Sequence, residues 1–375
     1  MAEPLKNNYG PEIVDRVAAM VAGAHPAFDD AAFRAICLDG YDELELTHRA
    51  RRMSDALAGT LPADREEALS IIVAGLPAEN PTAENSADEL TGMEPFVFLP
   101  FVFFVADHGL DHFEASMTAQ YELTKRFTAE FSIRSFLEHH PDATLERLRT
   151  WATDPNPHVR RLVSEGTRPR LPWAPRLRAF QADPTPVLEL LELLRDDPAE
   201  YVRRSVANNL NDIAKDHPAV VAEVAGRWWA DGDDTRRRLL RHGLRTLIKQ
   251  GDPATLAILG YGADSPVRVG PVSITPAEVA IGDKVRIEAT VENPSDAPLG
   301  ALVDLRVHFV KANGSTSGKV FKGGEVVIDP GGSATVTKTV SVAQHSTRTH
   351  YPGTHPVEVL LNGVAHPAGS FELTS

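Results

Sequence analysis

Cysteine is almost missing from this 375-residue chain: Cys37 stands alone. That excludes a disulfide framework and a thiolate zinc site, and it fits a reducing compartment. Long apolar runs are missing as well. The most apolar stretch, Pro95–Ala106, carries an internal proline and falls well short of the roughly 20 residues that span a bilayer. The opening segment, Met1–Gly10, is polar, so no secretory leader is expected, and the protein is expected to be cytoplasmic, away from membranes. There is no phosphate-binding glycine loop and no nucleophile elbow. Of the histidines His140, His158, His217 and His242, no pair has the i, i+4 spacing of a helical metal site with a carboxylate nearby. No metal or other cofactor is expected.

Net positive charge is also lacking. The formal charge is −14, which by itself argues against a polyanionic partner. The deficit is local, however. Residues 1–120 hold 7 Lys/Arg against 21 Asp/Glu, residues 121–266 hold 22 against 21, and residues 267–375 hold 9 against 10. The acidic third reads as a solvated outer surface. Within the middle third, Arg160, Arg161, Arg168, Arg170, Arg176 and Arg178 face one acid, Glu165. DNA is therefore not excluded.

With 42% hydrophobic and 24% charged residues, the chain should fold, and its length suits two or three domains. Through the first two-thirds, apolar residues recur at helical steps, as in Phe127, Phe131, Phe136 and Leu137, or Val202, Val206, Leu210 and Ile213. After about Ser265 the period becomes two, as in Val285–Val291 and Ala334–Val342, with turn clusters at 293–296, 312–315 and 329–332. The expected architecture is an all-α, HEAT-like repeat solenoid over 1–265, followed over 266–375 by a small immunoglobulin-like β-sandwich of about seven strands.

The helical part repeats. His140-Pro141, Trp151, Asp154 and Arg160-Arg161 recur at a shift of 77 residues as His217-Pro218, Trp228, Asp231 and Arg237-Arg238, and Arg203-Arg204 lies between. Two helix-pair units of roughly 38 residues are expected, with arginine pairs along one side of a superhelix. The competing reading makes those arginines ion pairs between repeats. The His-Pro sites should begin helices, and Trp151 and Trp228 should be core.

Three carboxylates stand out. Glu130 reads as mid-helix, with an i, i+4 partner in Arg134. Glu165 is the lone acid of the arginine cluster. Asp212 lies on a polar stripe with Arg204, Asn208, Asn211 and Lys215, whose poor helix formers point to a ligand-facing surface more than to a buried ladder. Trp173 follows Arg168-Pro169-Arg170-Leu171-Pro172, a rigid basic segment off the repeat pattern, where an exposed ring could pack against a nucleoside.

The segments Arg126–Arg134, His158–Gly166, Arg168–Trp173 and Tyr201–Asp216, with Pro4-Leu5-Lys6-Asn7 and the C-terminal sandwich, resemble the AlkC/AlkD-type DNA glycosylases, AlkC in particular. The likeness covers nearly the whole chain. Ser132 and Ser135 depart from it, standing where alanine and proline are expected. The resemblance implies excision of N3-methyladenine and N3-methylcytosine from duplex DNA by a monomer, without base flipping, on DNA bent in the concave solenoid. It places the site on Glu130, Glu165, Asp212 and Trp173. DNA contacts would fall on Arg134, Arg160, Arg161, Arg168, Arg170, Arg203, Arg204, Asn208 and Lys215. The sandwich, absent from some members, would grip the minor-groove side, with Lys311, Lys319 and Lys322 as candidates.

Chemistry supports such a site independently. A cationic N3-alkylated base departs without protonation, and the oxocarbenium-like sugar it leaves needs carboxylates to stabilise it and to orient water. Glu130 and Asp212 are the expected pair, with Glu165 beside them. A non-catalytic solenoid binding damaged or bent DNA would share the arginines and Trp173 but not depend on the carboxylates. A protein-interaction scaffold would show no salt-sensitive DNA binding.

Overall fold

The computed structural model describes residues 5–79, 94–262, 264–344 and 349–375. Among them are sixteen α-helices up to Ile258, then eight β-strands from Arg268 onward. Contacts gather the chain into two compact units, 1–216 and 217–375. The second holds the last four helices with the strands. No described helix is long and apolar enough to cross a membrane. The apolar stretch near residue 100 instead forms the buried helix Leu99–His108. In the acidic N-terminal third, Asp15, Asp42, Glu43, Glu66 and Glu67 are exposed, as a solvated face requires.

In the first unit two helix pairs follow one another, Pro141–Trp151 with Pro157–Gly166 and Thr185–Leu194 with Glu200–Ile213. A third pair, Pro218–Ala230 with Asp234–Gly243, belongs to the second unit. Proline occupies the first turn of both His-Pro helices, after His140 and His217 as N-caps, where its missing N–H costs nothing. Trp151 and Trp228 are core.

The repeat is uneven. From Asp154 to Asp197 is 43 residues and from Asp197 to Asp231 is 34, so the two units of 38 are an average and nothing more. The longer step contains an irregular loop, 167–177, and the short helix Arg178–Ala182. That loop carries Trp173.

One turn is built the same way twice. Arg160 Nη1 donates to the carbonyls of Asp154 (2.8 Å) and Pro155 (3.0 Å), and Arg203 Nη1 donates to those of Asp197 and Pro198. Arg160 also clamps Asp197 of the next pair, Nε to Oδ2 at 2.6 Å and Nη2 to Oδ1 at 3.0 Å. The reading of the arginine pairs as ties between repeats thus holds for Arg160.

The strands are β1 Arg268–Thr275, β2 Glu278–Ala280, β3 Lys284–Glu292, β4 Leu299–Val310, β5 Thr316–Ile328, β6 Ser333–Ser341, β7 Gly353–Leu361 and β8 Val364–Thr374. They form two sheets, β1-β3-β6 and β2-β8-β7-β4-β5, the order of an immunoglobulin-type sandwich. Alternation along β3 sends Val285, Ile287, Ala289 and Val291 into the core, where they meet Val303, Leu305, Val307, Val357 and Val359. The eighth strand, beyond the seven expected, is the three-residue β2, too short to show a period. Lys311 and Lys322 are exposed, while Lys319 sits over the Phe321 ring. Leu256, Leu259 and Tyr261 pack with Leu302, so the last helices share a small core with the sandwich.

Candidate active site

Glu130 does not lie mid-helix. The helix Phe113–Thr124 ends before it and the next, Ser132–His139, begins after it. Threonine hydroxyls make the break by taking backbone N–H groups that a helix would have paired. Thr124 Oγ1 accepts from Ala129 N (3.1 Å) and Thr128 Oγ1 from Glu130 N (3.1 Å). The apolar spacing of Phe127 and Phe131 is therefore that of a compact turn.

The turn aims Glu130 at the helix Pro157–Gly166 and not at Arg134. Glu130 Oε2 accepts from Arg161 Nη1 (2.9 Å) and Thr128 Oγ1 (3.0 Å). Its second oxygen, Oε1, has no hydrogen-bond donor among the described residues. On the same helix, Glu165 is fully engaged. Oε1 accepts from Arg168 Nη1 (2.6 Å), with Arg161 Nη2 at 3.5 Å, and Oε2 accepts from Ser205 Oγ (2.5 Å). Burial would push the Glu165 carboxyl up, but Arg161, Arg168 and the Ser205 hydroxyl outweigh it and hold it below the usual range.

Asp212 stands one layer back. Its side chain is 3% exposed, Oδ2 accepts from Arg168 Nε (2.8 Å) and Oδ1 from Lys215 Nζ (2.8 Å). The stripe itself is mixed, with Arg204 and Lys215 exposed, Asn208 half-buried, and Asn211 and Asp212 buried. Beside it runs a buried ladder: Asn209 Nδ2 donates to Ser164 O (2.8 Å) and Thr167 Oγ1 (3.1 Å), and Ser205 Oγ lies 3.0 Å from Ser164 Oγ. A ligand-facing surface is thus not needed to explain Ser205 and Asn209, because neighbouring helices already satisfy them.

Glu130 and Glu165, but not Asp212, line a cleft of about 450 Å³. Phe96, Phe127, Phe131 and Trp173 wall it, and Glu130, Glu165, Arg161, Arg168 and Tyr201 supply its polar lining. Arg161 lies over the Tyr201 ring at 5.2 Å. Burial lowers the proton affinity of Arg161, but Glu130, Tyr201 and Glu165 outweigh that and keep it cationic. Burial likewise pushes the Tyr201 phenol up. Trp173 is 64% exposed with φ +64°, a left-handed conformation that a bulky residue adopts at a cost.

The remaining basic candidates have varied settings. Arg170 makes a two-bond pair with Asp216 at 3.0 and 2.5 Å, Arg204 is exposed beside Glu200 at 3.2 Å, and Lys215 is exposed. Arg134 is buried with its guanidinium on backbone carbonyls. Sequence reasoning missed Tyr201, Ser205 and the role of the phenylalanines as cleft walls. An aromatic two residues before an arginine pair was the available signal for Tyr201. The phenylalanines look like any core residue.

Residues 126–247 match the family described as DNA alkylation repair enzyme, and residues 268–375 match the C-terminal Ig-like domain of the uncharacterised protein YhaZ. The uncharacterized protein YhaZ of Bacillus subtilis is 34% identical over 98% of this chain and 99% of its own. The structure of the Pseudomonas fluorescens alkylpurine DNA glycosylase AlkC, bound to DNA containing an abasic site analog, superposes with a TM-score of 0.84 at 36% identity, covering all of both chains.

Proposed function

The chain belongs to the AlkC-type family of DNA alkylation repair enzymes, and from that premise we propose that it is a DNA glycosylase. It hydrolyses the N-glycosidic bond of cationic N3-alkylated bases, N3-methyladenine and N3-methylcytosine, in duplex DNA without flipping them, acting as a monomer with no cofactor. The observation that carries the reading is the aromatic cleft where Glu130 keeps an oxygen to spare beside the exposed Trp173.

The base departs with the electron pair of its bond to C1′, which neutralises its own charge and leaves the oxocarbenium-like sugar. Water adds at C1′ and gives up a proton, so the products are free base and an abasic sugar. Glu130 Oε1 accepts from that water and then takes its proton. Glu165, held anionic by its partners, adds to the field at the sugar. In the free protein Glu130, Glu165 and Asp212 are matched by Arg161, Arg168 and Lys215. DNA phosphates compete for those three cations. As phosphates draw on those cations, the negative field of the carboxylates, with Asp212 acting from one layer back, is left to stabilise the developing positive charge. Trp173 packs on the lesion nucleotide or its sugar. Arg170 and Arg204 hold flanking phosphates, and the sandwich lysines are candidates for further backbone contact.

Release of free base from methylated duplex DNA tests this, comparing wild type with Glu130→Gln and Asp212→Asn. Wild type should free N3-methyladenine, and both variants should lose most of the rate while still binding DNA. DNA binding without base release would favour the non-catalytic solenoid. No salt-dependent retention on DNA would favour the scaffold.

A further inference from the structure

Arg134 is an unusual place for a charge. The residue is 4% exposed, and no carboxylate among the described residues lies within ion-pair distance of its guanidinium. Instead it donates to three backbone carbonyls of one segment: Nη1 to Gly166 O (3.1 Å) and Arg168 O (2.7 Å), and Nη2 to Pro175 O. Burial pulls its proton affinity down to about 10, which still leaves it charged at neutral pH. A buried cation resting on uncharged acceptors is costly unless the geometry it enforces is worth the cost.

Those carbonyls belong to segment 166–175, which joins the end of the helix Pro157–Gly166 to most of the irregular loop 167–177 that lengthens the first repeat. It carries both Trp173 and Arg168. Trp173 holds its left-handed backbone while more than half exposed, so its own side chain gives the loop little packing. Arg168 spans two carboxylates, Glu165 and Asp212, through Nη1 and Nε. Arg134 thus fixes the carbonyls on either side of Trp173 and the backbone of the residue that clamps two acids. It also sits four residues from Glu130, on the helix that the Glu130 turn begins.

We propose that Arg134 is a positioning residue rather than a phosphate contact: its planar fork locks the 166–175 loop so that Trp173 and Arg168 are held in register with Glu130. This rests on the glycosylase reading for its effect on excision, but not for its effect on Trp173. Lysine cannot replace it, since an ammonium on a flexible stem does not present the rigid fork that spans three carbonyls.

The test uses the full chain with 5-fluorotryptophan at its four tryptophans, the Trp173 resonance assigned from Trp173→Phe. In Arg134→Lys, which keeps the buried charge, the Trp173 resonance should shift and narrow while the other three stay. Arg134→Met should do the same more strongly. Excision by Arg134→Lys should fall about 100-fold, the scale of a reactive group misplaced by an ångström, mainly in kcat. The double variant Arg134→Lys/Trp173→Ala should be no slower than the worse single variant. A folded Arg134→Lys with an unmoved Trp173 resonance overturns the proposal, as does full additivity in the double variant. If Arg134→Met loses all four native resonances, Arg134→Lys decides. If wild type excises nothing, the glycosylase reading fails and the fluorine spectrum still decides the lock.

Discussion

Arg160 and Arg161 are neighbours in sequence and opposites in use. Arg160 closes the joint between two helix pairs, where its fork meets both oxygens of Asp197 and its remaining donor takes two loop carbonyls. Both oxygens of Asp197 are engaged, and the pair is architecture. Arg161, on the adjoining face of the same helix, meets one oxygen of Glu130 in an open cleft and lies over Tyr201. That pair leaves Glu130 Oε1 without a donor among the described residues. The first arrangement spends its buried charge on stability. The second keeps hydrogen-bonding capacity in reserve, which is what a site for a cation and a water requires.

The contrast breaks most clearly by removing one acid from each pair. Glu130→Gln should lower single-turnover base release by about 100- to 1000-fold, the scale of losing one preorganised electrostatic group, with little change in Tm. Asp197→Ala should do the reverse. It leaves the half-buried Arg160 without its carboxylate, costing roughly 3 kcal/mol of stability, readable by thermal denaturation, while excision per folded molecule is retained.

Trp173 sharpens the comparison further. Trp173→Gly should weaken binding to lesion DNA by about 1–3 kcal/mol, the worth of a stacked ring, measured by titration. The same change should raise stability by about 1 kcal/mol, because glycine adopts the left-handed backbone freely. A gain in Tm with a loss of affinity is the signature of strain kept for function.

The smallest effect concerns pH. The Glu165 carboxyl is held below its ordinary value of 4.5, so the folded state binds fewer protons there than the unfolded chain. Its contribution is therefore fully present above about pH 4.5 and is lost as pH falls through the lowered folded value. Glu165→Gln should flatten the fall of Tm across that acid window, measured by melts at stepped pH in fixed salt.

Much of the fold was legible because periodicity is a local property. The switch from helical steps to alternation near residue 265, the His-Pro helix starts and the core tryptophans all follow from side-chain spacing and from proline's fixed geometry. The candidate site was legible as a set of residue types: an acid among arginines, a tryptophan after a rigid basic segment, an aspartate among asparagines. Glu130 was misread because Phe127, Phe131 and Phe136 mimic a helix. Only the threonine hydroxyls, competing for backbone N–H groups, decide otherwise. The unequal repeat was hidden because a shift of 77 residues records a sum and not its parts.

Spacing and turn chemistry by themselves therefore determined the helical-then-sheet architecture and the existence of a repeat, since propensity, patterning and turn chemistry act over a few residues at a time. The family was legible only through the resemblance of whole segments. The tertiary structure alone decided which partner each charge would take. Glu130 with Arg161, Arg160 with Asp197, and Arg134 with the loop that carries Trp173 are pairings across about 30 to 40 residues. Burial and the directionality of hydrogen bonds select among many possible partners only once the helices have packed.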